Sequence, residues 1–177
     1  MLSDLLLHLP WLPLLVLMGM TVAGLLIGSR IVRHKRTVNA CAAISTVTIL
    51  GLTLYPDGDP SADVGCAVEL PYISATSVES LANIILFIPV VFFVGLKIRR
   101  PALAFGFGVA LSAIIEILQG TVLGIGRACD TGDLVTNSIG AAIGATLSYV
   151  AIRRTHRADR SAVRVQSDGE EKITAKE

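Results

Sequence analysis

The sequence contains few charged residues for its length. Asp, Glu, Lys and Arg make up 16% of its 177 residues, whereas a soluble domain has about 25%. Hydrophobic residues make up 53% of the chain, and the mean hydropathy is +0.68. The formal net charge is only +1, and the basic residues flank apolar runs without forming a stripe. This distribution argues against a nucleic-acid partner and favours an integral membrane protein.

Cysteine and histidine are also scarce, with three residues of each. The cysteines form no CxxC pattern and no cysteine–histidine ligand spacing, so the sequence predicts no zinc site. No histidine lies near a serine at the same predicted membrane depth, which argues against triad chemistry. These residue types therefore predict neither a metal site nor a cofactor.

In place of charge, the sequence has a series of long apolar runs. A helix needs about 20 apolar residues to cross a bilayer, and five runs approach that length. They are 11–28, 38–54, 81–96, 102–118 and 134–152. The sequence therefore predicts an all-α fold, a polytopic membrane helix bundle with about five transmembrane helices. The third and fourth runs are joined by a short basic turn, which predicts an antiparallel hairpin.

The basic residues predict which side of the membrane each segment faces. All but one of the 15 Lys and Arg fall in three clusters, at 30–36, at 97–100 and from 153 onward. Because cytoplasmic loops are enriched in Lys and Arg, the N-terminus is predicted outside and the C-terminus in the cytoplasm. Residues 1–157 are predicted to form the transmembrane bundle. Residues 158–177 mix charge with Ser and Gly, and are predicted to form a disordered cytoplasmic tail.

The exception, Arg127, lies on the outward side in this topology, close to two carboxylates. Connectivity brings other polar residues to the same level, because the third and fifth helices begin outside and the fourth ends there. We call these residues the outward cluster: Asn83, Glu116, Gln119, Arg127, Asp130, Asp133 and Asn137. Polar side chains in membrane helices usually face the bundle interior, so the outward cluster is the predicted functional site.

Members of the outward cluster also have purely structural interpretations. Glu116 lies about one turn from its helix end and can reach the interface without any functional role. Asp130 is a candidate N-cap of the fifth helix, with Asp133 in its first turn. Arg127 can neutralise these two carboxylates or contact lipid phosphate. The two asparagines can form hydrogen bonds that hold helices together.

Small residues add two further expectations. Cys66 and Cys129 both lie in outward segments, where disulfides are permitted, so they are a candidate pair, with two free thiols as the alternative. Cys41 lies inside the second run and is interpreted as a packing residue. Gly140 and Gly144 are four positions apart, a spacing that favours close helix packing.

The stretch from Asn83 to Gly144 resembles the VanZ-like family, with a predicted family core at 81–152. Order and spacing both match the family pattern. Where the family usually has a small polar residue close after its first Asp, this chain has Thr131 and Gly132. The matching segments are Asn83-Ile-Ile-Leu-Phe-Ile-Pro89, Glu116-Ile-Leu-Gln119 and Arg127-Ala-Cys-Asp130-Thr-Gly-Asp133-Leu-Val-Thr-Asn137-Ser-Ile-Gly140-Ala-Ala-Ile-Gly144.

The resemblance implies a small multi-pass protein of a bacterial cell membrane. The founding member of the family is associated with resistance to the glycopeptide teicoplanin. The resemblance therefore implies a cell-envelope context and a link to glycopeptide susceptibility, without implying a particular reaction.

Three classes of function are compatible with the outward cluster. In the first, it binds an anionic or amide-rich envelope ligand, such as a lipid-linked wall precursor, with Arg127 pairing a phosphate or carboxylate. In the second, the protein is an intramembrane enzyme acting on a lipid or such a precursor, with Glu116 and Asp133 as acid–base or metal-binding carboxylates. In the third, the polar residues only lock the helices together. A transporter would need to oligomerise, because five spans are few and no inverted repeat is present.

Overall fold

The computed structural model describes residues 11–55, 66–67, 78–122 and 129–174. These residues form five α-helices and two strands of two residues each. In chain order they are α1 (Leu12–Ile31), α2 (Lys35–Thr53), β1 (Cys66–Ala67), α3 (Val78–Ile98), α4 (Pro101–Thr121), β2 (Cys129–Asp130) and α5 (Thr131–Thr174). The predicted all-α fold is confirmed. The predicted hairpin of the third and fourth runs is formed by α3 and α4, with Pro101 as the first residue of α4, where proline is favoured.

Four of the described helices are long and apolar enough to cross a membrane, namely α1, α3, α4 and the 131–162 segment of α5. These helices indicate a multi-pass membrane protein. Helix α2 has 19 residues, but it is less apolar because Lys35 and Arg36 open it and Ser and Thr recur along it. Of the about five transmembrane helices that the sequence predicts, four have the length and apolar composition of a membrane span. Which side of the membrane each terminus faces stays a prediction.

Helix α3 lies at the centre of the bundle. One of its faces shares a hydrophobic cluster with α1 and α5 that contains Ile84, Ile88 and Phe92. Another face shares a cluster with α2 and α4 that contains Phe87 and Val90, both fully buried. Because lipid tails are as apolar as these side chains, close van der Waals packing holds the helices together more than exclusion of water does.

Two glycines bring α5 against the backbone of α3. A Cβ atom at Gly140 would collide with the carbonyl oxygen of Ile84, and one at Gly144 would lie 2.5 Å from the carbonyl oxygen of Ile88. Their spacing of four places both on one helix face, so the two helices approach more closely than larger residues would allow. This confirms the packing expected from the glycine spacing, and it holds the start of α5 beside the start of α3.

The outer surface of the helix bundle, away from its core, is apolar. Leu26 on α1, Ile44 and Val47 on α2, and Ile117 on α4 are each more than 60% exposed. An apolar surface of this extent is typical of contact with lipid or with another protein. Helix α2 therefore presents a lipid-compatible face in spite of its lower hydropathy.

Helix α5 is longer than a membrane crossing requires. Its 44 residues span about 66 Å, roughly twice the thickness of the hydrocarbon core. The prediction that residues 158–177 form a disordered tail is therefore wrong as far as Thr174. The packed span supplies the helix nucleus, so each further residue costs only propagation, and the segment beyond it contains no proline to end the helix.

Contacts with α1 and with the turn after it hold this extension in place. Arg154 donates a hydrogen bond to the carbonyl oxygen of Leu25, and Thr155 donates one to the carbonyl oxygen of Ser29. One turn further on, Arg33 Nη2 lies 2.7 Å from Asp159 Oδ1. Both side chains of this pair are more than half exposed, so the pair contributes little to stability.

Candidate functional site

The beginning of α3, the end of α4 and the beginning of α5 meet at one end of the bundle, and their polar side chains meet there too. We call this set the polar layer. Five of its members belong to the predicted outward cluster: four lie within helices, and one, Asp130, directly precedes α5. The sixth member, Ser112, was not a predicted site residue. The polar layer consists of Asn83, Ser112, Glu116, Asp130, Asp133 and Asn137.

Asn83 and Asp133 join α3 to α5 within this layer. The Asn83 Nδ2 atom donates a hydrogen bond of 2.6 Å to Asp133 Oδ1. Asn83 lies in the second turn of α3, and Asp133 lies in the first turn of α5, where a carboxylate also complements the helix dipole. The predicted convergence of these two residues is therefore observed as a direct contact.

Glu116 joins α4 to the segment that leads into α5. Its side chain is 6% exposed, and its Oε2 atom accepts a 3.0 Å hydrogen bond from the backbone N–H of Asp130. The carboxylates of Asp130 and Asp133 lie close enough to interact with it electrostatically. Buried Glu116 thus lies near two half-buried carboxylates, and whether it has a functional role stays a prediction.

Asp130 has the structural role expected of a residue that precedes a helix. Its Oδ1 atom accepts a 2.8 Å hydrogen bond from the backbone N–H of Gly132, which satisfies one of the unpaired N–H groups in the first turn of α5. The backbone and the side chain of Asp130 therefore hold two different helix ends together.

Asn137 lies one turn below Asp133 and is 4% exposed. Its Nδ2 atom donates a 2.9 Å hydrogen bond to Ser112 Oγ on α4. Its Oδ1 atom is buried, and no described residue donates a hydrogen bond to it. Buried polar atoms usually have a partner, so Asn137 has an acceptor that its contact with α4 does not use.

Gln119 faces a different neighbour. It is 8% exposed, and its Nε2 atom donates a 2.8 Å hydrogen bond to the backbone carbonyl of Thr53 at the end of α2. Carbonyl groups in the last turn of a helix lack an intrahelical partner, so this bond links α4 to α2. The predicted role of Gln119 in ligand binding stays a prediction.

A short parallel ladder covers the approach to α5. Cys66 of β1 pairs in register with Cys129 of β2, and Ala67 pairs with Asp130. Cys129 is disulfide-bonded, and Cys41 is a free thiol. The register places Cys66 opposite Cys129, so we keep their predicted pairing as the interpretation of this bond.

We expect Cys129→Ser to lower stability by about 2–4 kcal/mol, because the bond closes a long loop of the chain. It should also loosen Asp130, which follows it directly and donates to Glu116. The measurement is the thermal unfolding midpoint of the purified protein, with and without reductant. Cys41→Ser is the matched control and should leave the midpoint unchanged; an equal effect of both variants would contradict the stabilising role of the bond.

Two predictions about charged groups concern Arg127 and a metal ion. Arg127 lies outside the described residues, so its place beside the carboxylates stays a prediction. Among the residues that the structure describes, no group of three His, Cys, Asp or Glu is arranged to hold a metal ion. The metal-binding alternative for Glu116, Asp130 and Asp133 stays a prediction.

Ser112 could have been identified from spacing. It lies four residues before Glu116, on the same face of α4, and it is fully buried. The partner of Gln119 could not, because a backbone carbonyl at a helix end leaves no mark in the sequence.

The polar layer lies inside the region that matches a known family. A family model described as VanZ/LLP1 matches residues 11–152. The chain belongs to the VanZ/LLP1 family. The match extends the resemblance predicted for 83–144 to α1 and α2, which were expected to match only in hydropathy. No curated protein and no solved structure matches this VanZ/LLP1 chain.

Proposed function

We propose that this VanZ/LLP1 membrane protein binds a ligand of the bacterial cell envelope in its polar layer, on the outward side of the cell membrane. The observation that carries the proposal is the buried Oδ1 atom of Asn137, to which no described residue donates a hydrogen bond. An unsatisfied buried polar group costs about 1–3 kcal/mol. A ligand that donates an N–H group to this atom would remove that cost.

The chemistry of the layer favours an amide-rich ligand. Glu116 and Asp133 supply carboxylate oxygens, which accept hydrogen bonds, and Asn83 and Asn137 supply amide groups. The peptide part of a lipid-linked wall precursor carries both N–H donors and carbonyl acceptors, and it is presented at the membrane surface. A precursor of this kind is therefore the ligand class that we propose.

Arg127 is the residue that we propose for binding the anionic group of the ligand. The sequence places it six residues before Asp133, and a guanidinium grips a phosphate or carboxylate through two parallel hydrogen bonds. In this proposal Arg127 pairs the anionic group of the ligand while the polar layer holds its amides. The link to glycopeptide susceptibility, implied by the family resemblance, supplies the readout.

A complementation series tests the proposal. A deletion strain would carry the wild-type protein, Arg127→Ala, Arg127→Lys or Glu116→Gln, with protein levels matched. We expect both Arg127 variants to lose most of the wild-type effect on glycopeptide susceptibility, because lysine lacks the bidentate geometry. The proposal would be contradicted if the strains that carry Arg127→Ala and Arg127→Lys both show the glycopeptide susceptibility of the strain that carries the wild-type protein.

The same series separates binding from catalysis. Glu116 is buried close to two other carboxylates, an arrangement that also suits acid–base work in an intramembrane enzyme acting on a lipid or lipid-linked precursor. If the protein is such an enzyme, Glu116→Gln should change the composition of lipid-linked precursors as strongly as deletion does. In the binding proposal, Glu116→Gln leaves that composition at the wild-type level.

A further inference from the structure

Helix α5 carries a continuous face that changes from apolar to basic along its length. Ala142, Ala145, Tyr149, Arg153, His156 and Arg160 follow one another at intervals of three or four residues, so they lie on one side of the helix. The apolar part of this face lies within the membrane-spanning segment, and the basic part lies beyond it, at the end of the bundle opposite the polar layer. This order of an apolar and a basic part is complementary to a lipid with an apolar acyl chain and an anionic headgroup.

The apolar part forms a groove with the beginning of α4. This shallow, open depression has a volume of about 360 Å³ and is lined by Pro101, Ala102 and Phe105 of α4 and by Ala142, Ala145, Thr146 and Tyr149 of α5. We call it the apolar groove. Small side chains form most of its floor, and Phe105 and Tyr149 are each about 40% exposed at its edges. Its shape suits a linear acyl chain that lies between two helices.

The basic part forms a concave surface beyond Tyr149, between the exposed side chains of α5 itself. It has a volume of about 480 Å³ and is lined by Arg153, His156, Arg157 and Arg160, all on this one helix; we call it the basic groove. The acidic residue of this turn, Asp159, is bonded to Arg33 on another face of α5. The basic groove therefore presents positive charge without a carboxylate in its lining.

Arg153 connects the two grooves. Its guanidinium carbon lies 4.8 Å from the centre of the Tyr149 ring, in a cation–π contact. Stacking uses the face of the guanidinium and leaves its edge N–H groups available for a phosphate. Arg153 also lies at the membrane depth of a lipid headgroup. About 20 residues cross the hydrocarbon core, so a helix that begins at Thr131 reaches the interface near residue 151.

We propose that these grooves bind an anionic phospholipid, with its phosphate in the basic groove and one acyl chain in the apolar groove. This goes beyond the proposed function, since it concerns the other end of the bundle and other residues. Basic residues at a helix end attract anionic headgroups in general. The adjoining apolar groove and the stacked Arg153 are what make this a defined site for a single lipid molecule.

Native mass spectrometry of the purified full-length protein tests the proposal. The protein in detergent would be mixed with equal amounts of phosphatidylglycerol and phosphatidylcholine that carry the same acyl chains. We expect the wild type to retain phosphatidylglycerol in preference. The double variant Arg153→Ala/Arg157→Ala should lower that retention about thirtyfold, because two basic residues near the surface contribute about 1 kcal/mol each. These side chains are exposed, so the variant should fold.

Two further variants make the test specific. Lys35→Ala/Arg36→Ala removes the same charge from the start of α2 and should retain the wild-type preference. Ala142→Phe fills the apolar groove and should lower the retention of both lipids. Equal retention of the two lipids by the wild type would overturn the proposal, as would an equal loss in the two double variants. A dimer that dissociates in the Arg153/Arg157 variant, with lipid retention unchanged, would assign this face to a second copy of the chain instead.

Discussion

Gly140→Leu is expected to abolish accumulation of the folded protein, whereas Gly106→Leu is expected to leave it unchanged. A side chain at Gly140 would meet the carbonyl oxygen and Cα of Ile84, which are backbone atoms of the central helix and cannot turn aside. At Gly106 an added Cβ meets nothing within 4 Å. Overpacking a tight contact costs about 1–3 kcal/mol, and a clash between helix backbones should reach about 3 kcal/mol or more.

The pair of glycine variants isolates packing from helix propensity. Glycine is a poorer helix former than alanine by roughly 0.8–1 kcal/mol, and leucine ranks just below alanine, so propensity alone predicts that both substitutions stabilise the protein. The measurement is the amount of monodisperse protein after solubilisation, together with its unfolding midpoint. Gly140→Ala should give a smaller loss in the same direction. Equal behaviour of Gly140→Leu and Gly106→Leu would contradict the close approach of α5 to α3.

Under the proposed function, Asn137→Ala is expected to remove most of the proposed effect on glycopeptide susceptibility, whereas Ser112→Ala is expected to preserve it. Both substitutions remove the same hydrogen bond, from Asn137 Nδ2 to Ser112 Oγ. Ser112→Ala leaves the buried Asn137 Nδ2 atom unpaired and should lower stability by about 1–3 kcal/mol. Asn137→Ala removes that atom together with the unsatisfied Oδ1 atom, so it should lower stability by no more than Ser112→Ala does. Only Asn137→Ala also removes the buried Oδ1 acceptor, which the proposed ligand uses.

This comparison separates ligand binding from a structural role. If the polar layer only locks the helices together, the two variants should lose stability and function in parallel. If the layer binds a ligand, Asn137→Ala should lose function although it is no less stable than Ser112→Ala. The measurements are the unfolding midpoint in detergent and the glycopeptide susceptibility of complemented cells, at matched protein levels.

Much of the polar layer could be predicted from the sequence because connectivity sets depth. A helix that ends at one membrane surface must be followed by one that begins there, so Glu116 and Asp133 had to lie at the same level. The helical period places Asn137 one turn below Asp133, and the same spacing from Glu116 could have identified Ser112. The observed hydrogen bonds agree with these depths. Asn83 bonds to Asp133 and Glu116 to Asp130 in the outer level, and Asn137 bonds to Ser112 one turn below.

Other features could not be predicted, for physical reasons. The lateral position of α2 depends on which faces pack best, so the bond from Gln119 to Thr53 was not accessible to arguments from depth. The helical extension beyond residue 157 was missed because its composition is polar, whereas helix propagation from a packed span depends little on hydrophobicity. Cys66 and Cys129 were a candidate pair from the sequence, but the parallel strand pairing that sets Ala67 opposite Asp130 was not predicted.

The most direct test of the central claim is the affinity of the purified protein for a lipid-linked wall precursor that carries its peptide. The wild type and Ser112→Ala should bind it with similar dissociation constants, and Asn137→Ala should bind it about tenfold more weakly, since leaving a polar partner unpaired costs about 1–3 kcal/mol. No detectable binding by the wild type, or equal affinity of Asn137→Ala and the wild type, would contradict the account.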